Sequence, residues 1–269
     1  MQDNRNFLGT EPIGKLLLKL SIPTVIAQLI NMLYNIVDRI YIGHIPGEGS
    51  LALTGVGVCM PIIMLVSAFA ALISTGGAPR ASISMGKQDN KAAEKILGNC
   101  FVALVSVSMV LTAILLIWGE PLLMAFGASE NTISYATNYL SIYAIGTIFV
   151  QLTLGMNAFI TCQGFTTISM VSVLVGAICN ITLDPIFIFV MHMGVSGAAV
   201  ATVISQALST IWVMRFLCGR KTQLHLRKDN MRLEAKVILP CLALGLATFV
   251  MQSSESIIAV CFNSSLLDS

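Results

Sequence analysis

Charge is what this sequence has least of. Only 10% of its residues are Asp, Glu, Lys or Arg, against about 25% in an ordinary soluble domain, while 56% are hydrophobic. A chain so poor in charge cannot cover the surface of a water-soluble globule. No polar stretch between the hydrophobic runs is long enough to hold a soluble domain either. Cys-x-x-Cys pairs are absent. The seven cysteines (Cys59, Cys100, Cys162, Cys179, Cys218, Cys241 and Cys261) are dispersed, which argues against a disulfide framework or metal site and marks them as small apolar packing residues. No His-Glu-x-x-His or Gly-x-Ser-x-Gly pattern occurs, so an intramembrane enzyme is not expected. Gly194-Val-Ser-Gly197 comes nearest and reads as a helix start.

What is abundant is long apolar sequence. A helix crossing the hydrocarbon core needs about 20 mostly apolar residues, and seven stretches qualify: 16–43, 51–78, 94–118, 137–160, 167–190, 194–217 and 237–262. The runs are continuous and do not alternate over about ten residues as barrel strands do. The predicted fold is therefore an all-α integral membrane bundle. Gly76-Gly77 and Pro79 are expected to end the second span. Asp89 reads as the N-cap of the third, and Glu94 and Lys95 as ordinary interfacial charge.

Lysine and arginine are retained on the cytoplasmic side of short loops. Fourteen of the fifteen basic residues fall on one side: Arg5, Lys15 and Lys19 before the first span, Arg80 to Lys95 around the second connection, and Arg215 to Lys236 around the sixth. Arg39, beside Asp38, is the exception. This places the N-terminus inside, in a multi-pass plasma or inner-membrane protein, with the lipid bilayer as a partner. The net charge of +2 reports topology and not nucleic-acid binding. A cleavable signal peptide is not expected, because the first span is too long and lacks a cleavage site. The basic segment Arg215–Lys236 is a topology determinant that can also touch anionic lipid.

A charge within a span costs at least about 2.5–3.5 kcal/mol, so an intramembrane acid marks a functional site by default. There are three: Asp38, Asp184 and Glu255. Gln28, Asn31, Asn35 and Asp38 lie three, four and three residues apart, on one stripe of the first helix. Gly176, Asn180 and Asp184 repeat at intervals of four, and Pro185 frees the Ile181 carbonyl one turn before the acid. Broken helices with freed carbonyls recur where secondary transporters hold ions. Asp38 or Asp184 can then carry a proton between the two sides or bind sodium in its ionised form; the residues do not choose between them. Thr202, Gln206 and Ser209 share a face of the sixth span, and Tyr139, Tyr143, Thr147, Gln151 and Asn157 lie along the fourth. These polar residues either complete the site or hydrogen-bond between helices. Thr248, Gln252 and Glu255 form a stripe in the seventh. Lys19-x3-Pro23-x14-Asp38 reappears as Lys236-x3-Pro240-x14-Glu255, 217 residues on, and a register of 224 aligns Gln28 with Gln252. Either register suggests that span 7 opens a second copy of the first six. Among the 14 methionines, Met32, Met60, Met64, Met156 and Met170 are candidates for an adaptable ligand surface, although packing or lipid contact explains most of them.

In combination, several segments resemble the multidrug and toxic compound extrusion (MATE) family. They are Ile22-Pro23, Tyr34-Asn-Ile-Val-Asp38-Arg-Ile-Tyr-Ile-Gly43, Arg80 through Gly86-Lys-Gln-Asp89, Asn157 with Gln163-Gly164, Asn180-x3-Asp184-Pro185, and Gly197-Ala-Ala-Val-Ala-Thr202-x2-Ser205-Gln206. The resemblance implies a twelve-helix antiporter whose two six-helix lobes face a central cavity. Such a protein exports amphipathic cations against an inward flow of protons or sodium, with no other cofactor. It implies a six-helix lobe over residues 1–218, a basic cytoplasmic linker over 219–236, and the first helix of a second lobe over 237–269. By position, Asp38, Tyr139, Asn157, Asn180, Asp184 and Thr202 match the cation-coupling network of the family's N-lobe. Gln28, Asn31, Asn35, Gln206 and Glu255 are further candidates to line the cavity; no metal site is expected apart from sodium at Asp38 and Asp184. The chain stops just after span 7, at Ser264-Ser-Leu-Leu-Asp-Ser269, so the rest of a second lobe is expected to complete the transporter. A non-transporting fragment is one alternative. A flippase for lipid-linked oligosaccharides is another, but it would line its cavity with basic residues for pyrophosphate. A seven-helix receptor would place its N-terminus outside.

Overall fold

The computed structural model describes residues 12–267, with side chains described through 258 and at 260; Arg5 and Cys261 are not among them. Among the described residues, seven helices are long and apolar enough to cross a membrane. They are α1 (Ile13–Gly43), α2 (Gly49–Gly86), α3 (Asn90–Ala125), α4 (Ile133–Cys162), α5 (Thr166–Pro185), α6 (Gly194–Leu217) and α7 (Ala235–Leu267). No strand occurs among the described residues. Each helix closes its own backbone hydrogen bonds, as a hydrocarbon solvent requires. The Asp89 carboxylate accepts from Ala92 N–H at 3.0 Å and caps α3 as expected.

The second helix does not stop at Gly76-Gly77-x-Pro79 but runs on to Gly86. Those glycines serve packing. A Cβ on Gly76 would strike the Cys241 carbonyl, and one on Gly77 would meet Cys100 Sγ and Phe159. Lipid offers the backbone no alternative partner, so the helix bridges the proline in place of unwinding. Likewise α5 does not break at Pro185; the chain widens into one π-helical turn over Ile186–Val190. The α6 backbone closes against that turn at Gly197, where a Cβ would meet Phe187.

Helix α2 is central, packing on α3, α4 and α7, while α4 bridges α2 and α3 to α6. On the other side α1 rests mainly on α5, and α5 rests on α6. The α2–α7 crossing is backbone to backbone: a Cβ on Gly245 would strike the Leu72 carbonyl, reciprocating Gly76 and Cys241. Phe69 meets Phe249 at 5.0 Å between ring centroids beside it.

The connector between α6 and α7 is strapped to the bundle. Buried Gln163 turns its Oε1 to Thr222 Oγ1, Gln223 N–H and Leu224 N–H, at 2.8, 2.8 and 3.1 Å. Glu94 accepts from His225 N–H at 3.1 Å and pairs with Arg227 at 3.0 Å. Asn99 accepts from Glu234 N–H at 2.6 Å, and Lys95 pairs with the Glu234 carboxylate at 2.7 Å. Glu94 is thus buried and structural, not interfacial charge: it lies where the chain must bring backbone donors against α3.

Candidate functional site

The 3.6-residue period of α1 turns Thr24, Gln28, Asn31 and Tyr34 toward α5, and these side chains form one wall of a cavity of about 210 Å³ between α1, α4, α5 and α6. From α4 come Thr153, Asn157 and Thr161; from α5, Ser169, Met170 and Asn180; from α6, Thr202, Ser205, Gln206 and Ser209. Gly176 also lines it, at a close approach of α5 to α6 where a Cβ would meet Ser209 Oγ at 2.5 Å. None of the residues lining this space carries a charge, and it is polar and roomy enough to admit water.

Beyond Asn180 lie the two acids. Asp38 is 6% exposed and Asp184 fully buried. Their carboxyl groups face each other within electrostatic reach, and two buried carboxylates so placed are costly unless a proton or a cation lies between them. Asn180 Nδ2 donates to Asp184 Oδ1 at 3.3 Å and lies 3.4 Å from Thr202 Oγ1. Tyr139 lies beside Thr202, and Tyr34 sits within electrostatic reach of both acids. Asp38, Tyr139, Asn180, Asp184 and Thr202, drawn from four helices, therefore form one connected network. Three of its buried oxygens have no donor among the described residues: Asp38 Oδ1, Asn180 Oδ1 and Asp184 Oδ2. An acceptor-rich pocket of this kind suits a proton or a small cation with oxygen ligands.

Not every candidate joins. Asn157 lines the cavity farther along, with its Nδ2 turned to the Ser169 carbonyl at 3.4 Å and its Oδ1 without a donor. Gln28, Asn31 and Gln206 line it as well. Asn35 does not: its amide folds back to the Asn31 carbonyl at 2.7 Å, and Tyr34 takes the wall position. Glu255 is exposed on α7, which packs against α2 on the far side from α1 and α5. Gln151 points into the α2–α4 interface and donates to the Val66 carbonyl at 2.6 Å. Of the five methionines singled out, only Met170 lines the cavity; Met156 is core, and Met32 and Met64 face outward. Tyr34 was legible, since it stands one helical turn before Asp38. Ser169, which accepts from Asn157 and from Thr161 Oγ1 at 3.0 Å, carries no such signal.

Residues 23–186 match the family model described as MatE. The multidrug export protein MepA of Staphylococcus haemolyticus (strain JCSC1435) is 26% identical over 252 residues, which cover 93% of this chain and 55% of MepA. The chain thus spans about half the length of the curated relatives it matches. Among solved structures, a multidrug resistance MATE family transporter of the MOP superfamily in an outward-facing conformation superposes with a TM-score of 0.83 at 25% identity, over 90% of this chain and 53% of that one. A MOP superfamily transporter from Pyrococcus furiosus, described as having a binding pocket of reverse polarity, gives 0.86 at 25% identity, over 94% and 56%.

Proposed function

We propose, since this chain belongs to the MatE family and is a multi-pass membrane protein, that it forms the first lobe and seventh helix of a secondary active antiporter. The whole protein exports cationic, amphipathic compounds in exchange for protons or sodium, with the N-terminus in the cytoplasm and a second lobe completing the pathway. The observation that carries this reading is the paired carboxyl groups of Asp38 and Asp184 at the end of a polar cavity, tied through Asn180 and Thr202 to Tyr139.

A pair sharing one proton bears a single negative charge in a medium where charge is costly. Gaining a second proton neutralises it. Losing both leaves two like charges face to face, which a sodium ion between Asp38 Oδ1, Asp184 Oδ2 and Asn180 Oδ1 would offset. Because the acids sit on α1 and α5, a change in their charge alters the attraction between those helices, the physical link an exchanger needs between cation and shape. Uncharged amides and hydroxyls line the adjoining cavity, which favours organic cations over the pyrophosphate of a lipid-linked oligosaccharide.

The test is efflux from cells expressing a full-length protein that carries this chain. Asp38→Asn and Asp184→Asn are each expected to abolish gradient-driven drug export while leaving the amount of protein in the membrane unchanged. Undiminished export by both variants would overturn the coupling role.

A further inference from the structure

At the end of α6 that carries its basic residues, the chain leaves the helix after Leu217 and turns at Gly219 before Leu224 is buried against the bundle. The turn brings Arg220 and Lys221 beside Arg215 of the last helical turn, around a surface groove of about 480 Å³ whose apolar lining is Ile168, Trp212 and Phe216. We propose that this groove binds the headgroup of an anionic phospholipid.

Charge pairing carries the inference. Near the connector, Glu94 takes Arg227 and His225 and Glu234 takes Lys95, while Asp229 is exposed outside the groove and pairs with none of its cations. Arg215, Arg220 and Lys221 have no ion pair or side-chain hydrogen bond among the described residues, although all three line one groove. Three cations so placed repel one another unless an anion sits among them. The apolar part identifies the anion as a lipid and not a soluble ion. Trp212 and Ile211, 40% and 61% exposed, continue from the groove along the outer flank of α6, where acyl chains would lie. Phe216 is held against Phe165 edge-on at 5.2 Å, fixing an aromatic side chain at headgroup depth. The orientation proposed above names the leaflet as the cytoplasmic one; the chemistry of the groove does not depend on it.

This chain has two tryptophans, so Trp118→Phe, with any tryptophan of the second lobe also changed to Phe, leaves Trp212 as the reporter. The protein, reconstituted in phosphatidylcholine vesicles, is titrated with brominated phosphatidylglycerol or brominated phosphatidylcholine. The anionic lipid is expected to quench Trp212 at lower mole fraction, by roughly fivefold for each basic side chain engaged. Adding Arg215→Ala, Arg220→Ala and Lys221→Ala should bring the two curves together, whereas Arg215→Lys with Arg220→Lys, or Lys87→Ala with Lys91→Ala outside the groove, should preserve the gap. Coincident curves in the parent, or a gap that survives loss of all three cations, would overturn the site.

Discussion

The α1–α5–α6 side of the bundle and the α2–α4–α7 side use buried polar residues in opposite ways. On the packed side, Gln163, Glu94 and Asn99 each meet the donors brought to them, and Gln151 donates across to α2 although its Oε1 has no donor among the described residues. On the cavity side, oxygens of Asp38, Asn157, Asn180, Asp184, Ser205 and Gln206 go without a donor; these are six of the nine such atoms among the described residues. Each orphaned group costs about 1–3 kcal/mol if nothing else satisfies it. Concentrating that cost around one cavity leaves acceptors available to ligands that come and go, while the packed side supplies the rigidity. Helix burial separates the two extremes, with no buried residue in the most apolar window of α1 against half of that of α2, but not the sides as wholes: the window of α6 is 44% buried and that of α7 only 17%.

The largest effect is expected where the packed side can be broken by one side chain. Gly245→Val or Gly76→Val forces the α2 and α7 backbones apart and should destabilise the protein by about 3 kcal/mol or more. Gly57→Ala, with open space around its Cβ, should be near neutral. Unfolding midpoints in detergent would show the difference, and equal midpoints would mean that the crossing does not hold α7. Next comes the strap. Gln163→Leu removes the acceptor of three donors, at about 1–3 kcal/mol for each one left unsatisfied, and should speed tryptic cutting at Arg227 and Lys228 several-fold. The smallest effect on stability sharpens the contrast itself. In a cysteine-free background, Gln206→Cys on the cavity wall should react with a polar thiol reagent, and Gln151→Cys in the α2–α4 interface should resist it under the same conditions.

The acids and their companions on α5 were legible because helical spacing alone sets Asn180 one turn from Asp184, and span 6 supplies Thr202. The same reasoning put Asn35 on the cavity wall, since a four-residue row runs close to Tyr34 and Asn35 alike; the angle at which α1 lies on α5 turned Tyr34 inward. Glu255 matched Asp38 in spacing to Lys and Pro, yet spacing along one helix says nothing of which neighbour that helix meets, and α7 lies on α2. Gly76-Gly77 carried a stop signal in one dimension and a close crossing in three.

Composition and periodicity by themselves determined that this chain spans the membrane in seven helices, that Asp89 caps the third, and that two acids lie on polar helix faces, because these follow from local geometry and the cost of charge in hydrocarbon. Tertiary structure alone decided that Asp38 and Asp184 face each other, that the connector is bound down by Gln163 and Glu94, and that three cations after α6 share one groove. Those outcomes depend on how whole helices are rotated and crossed, a property of their summed packing that no stretch of one helix contains.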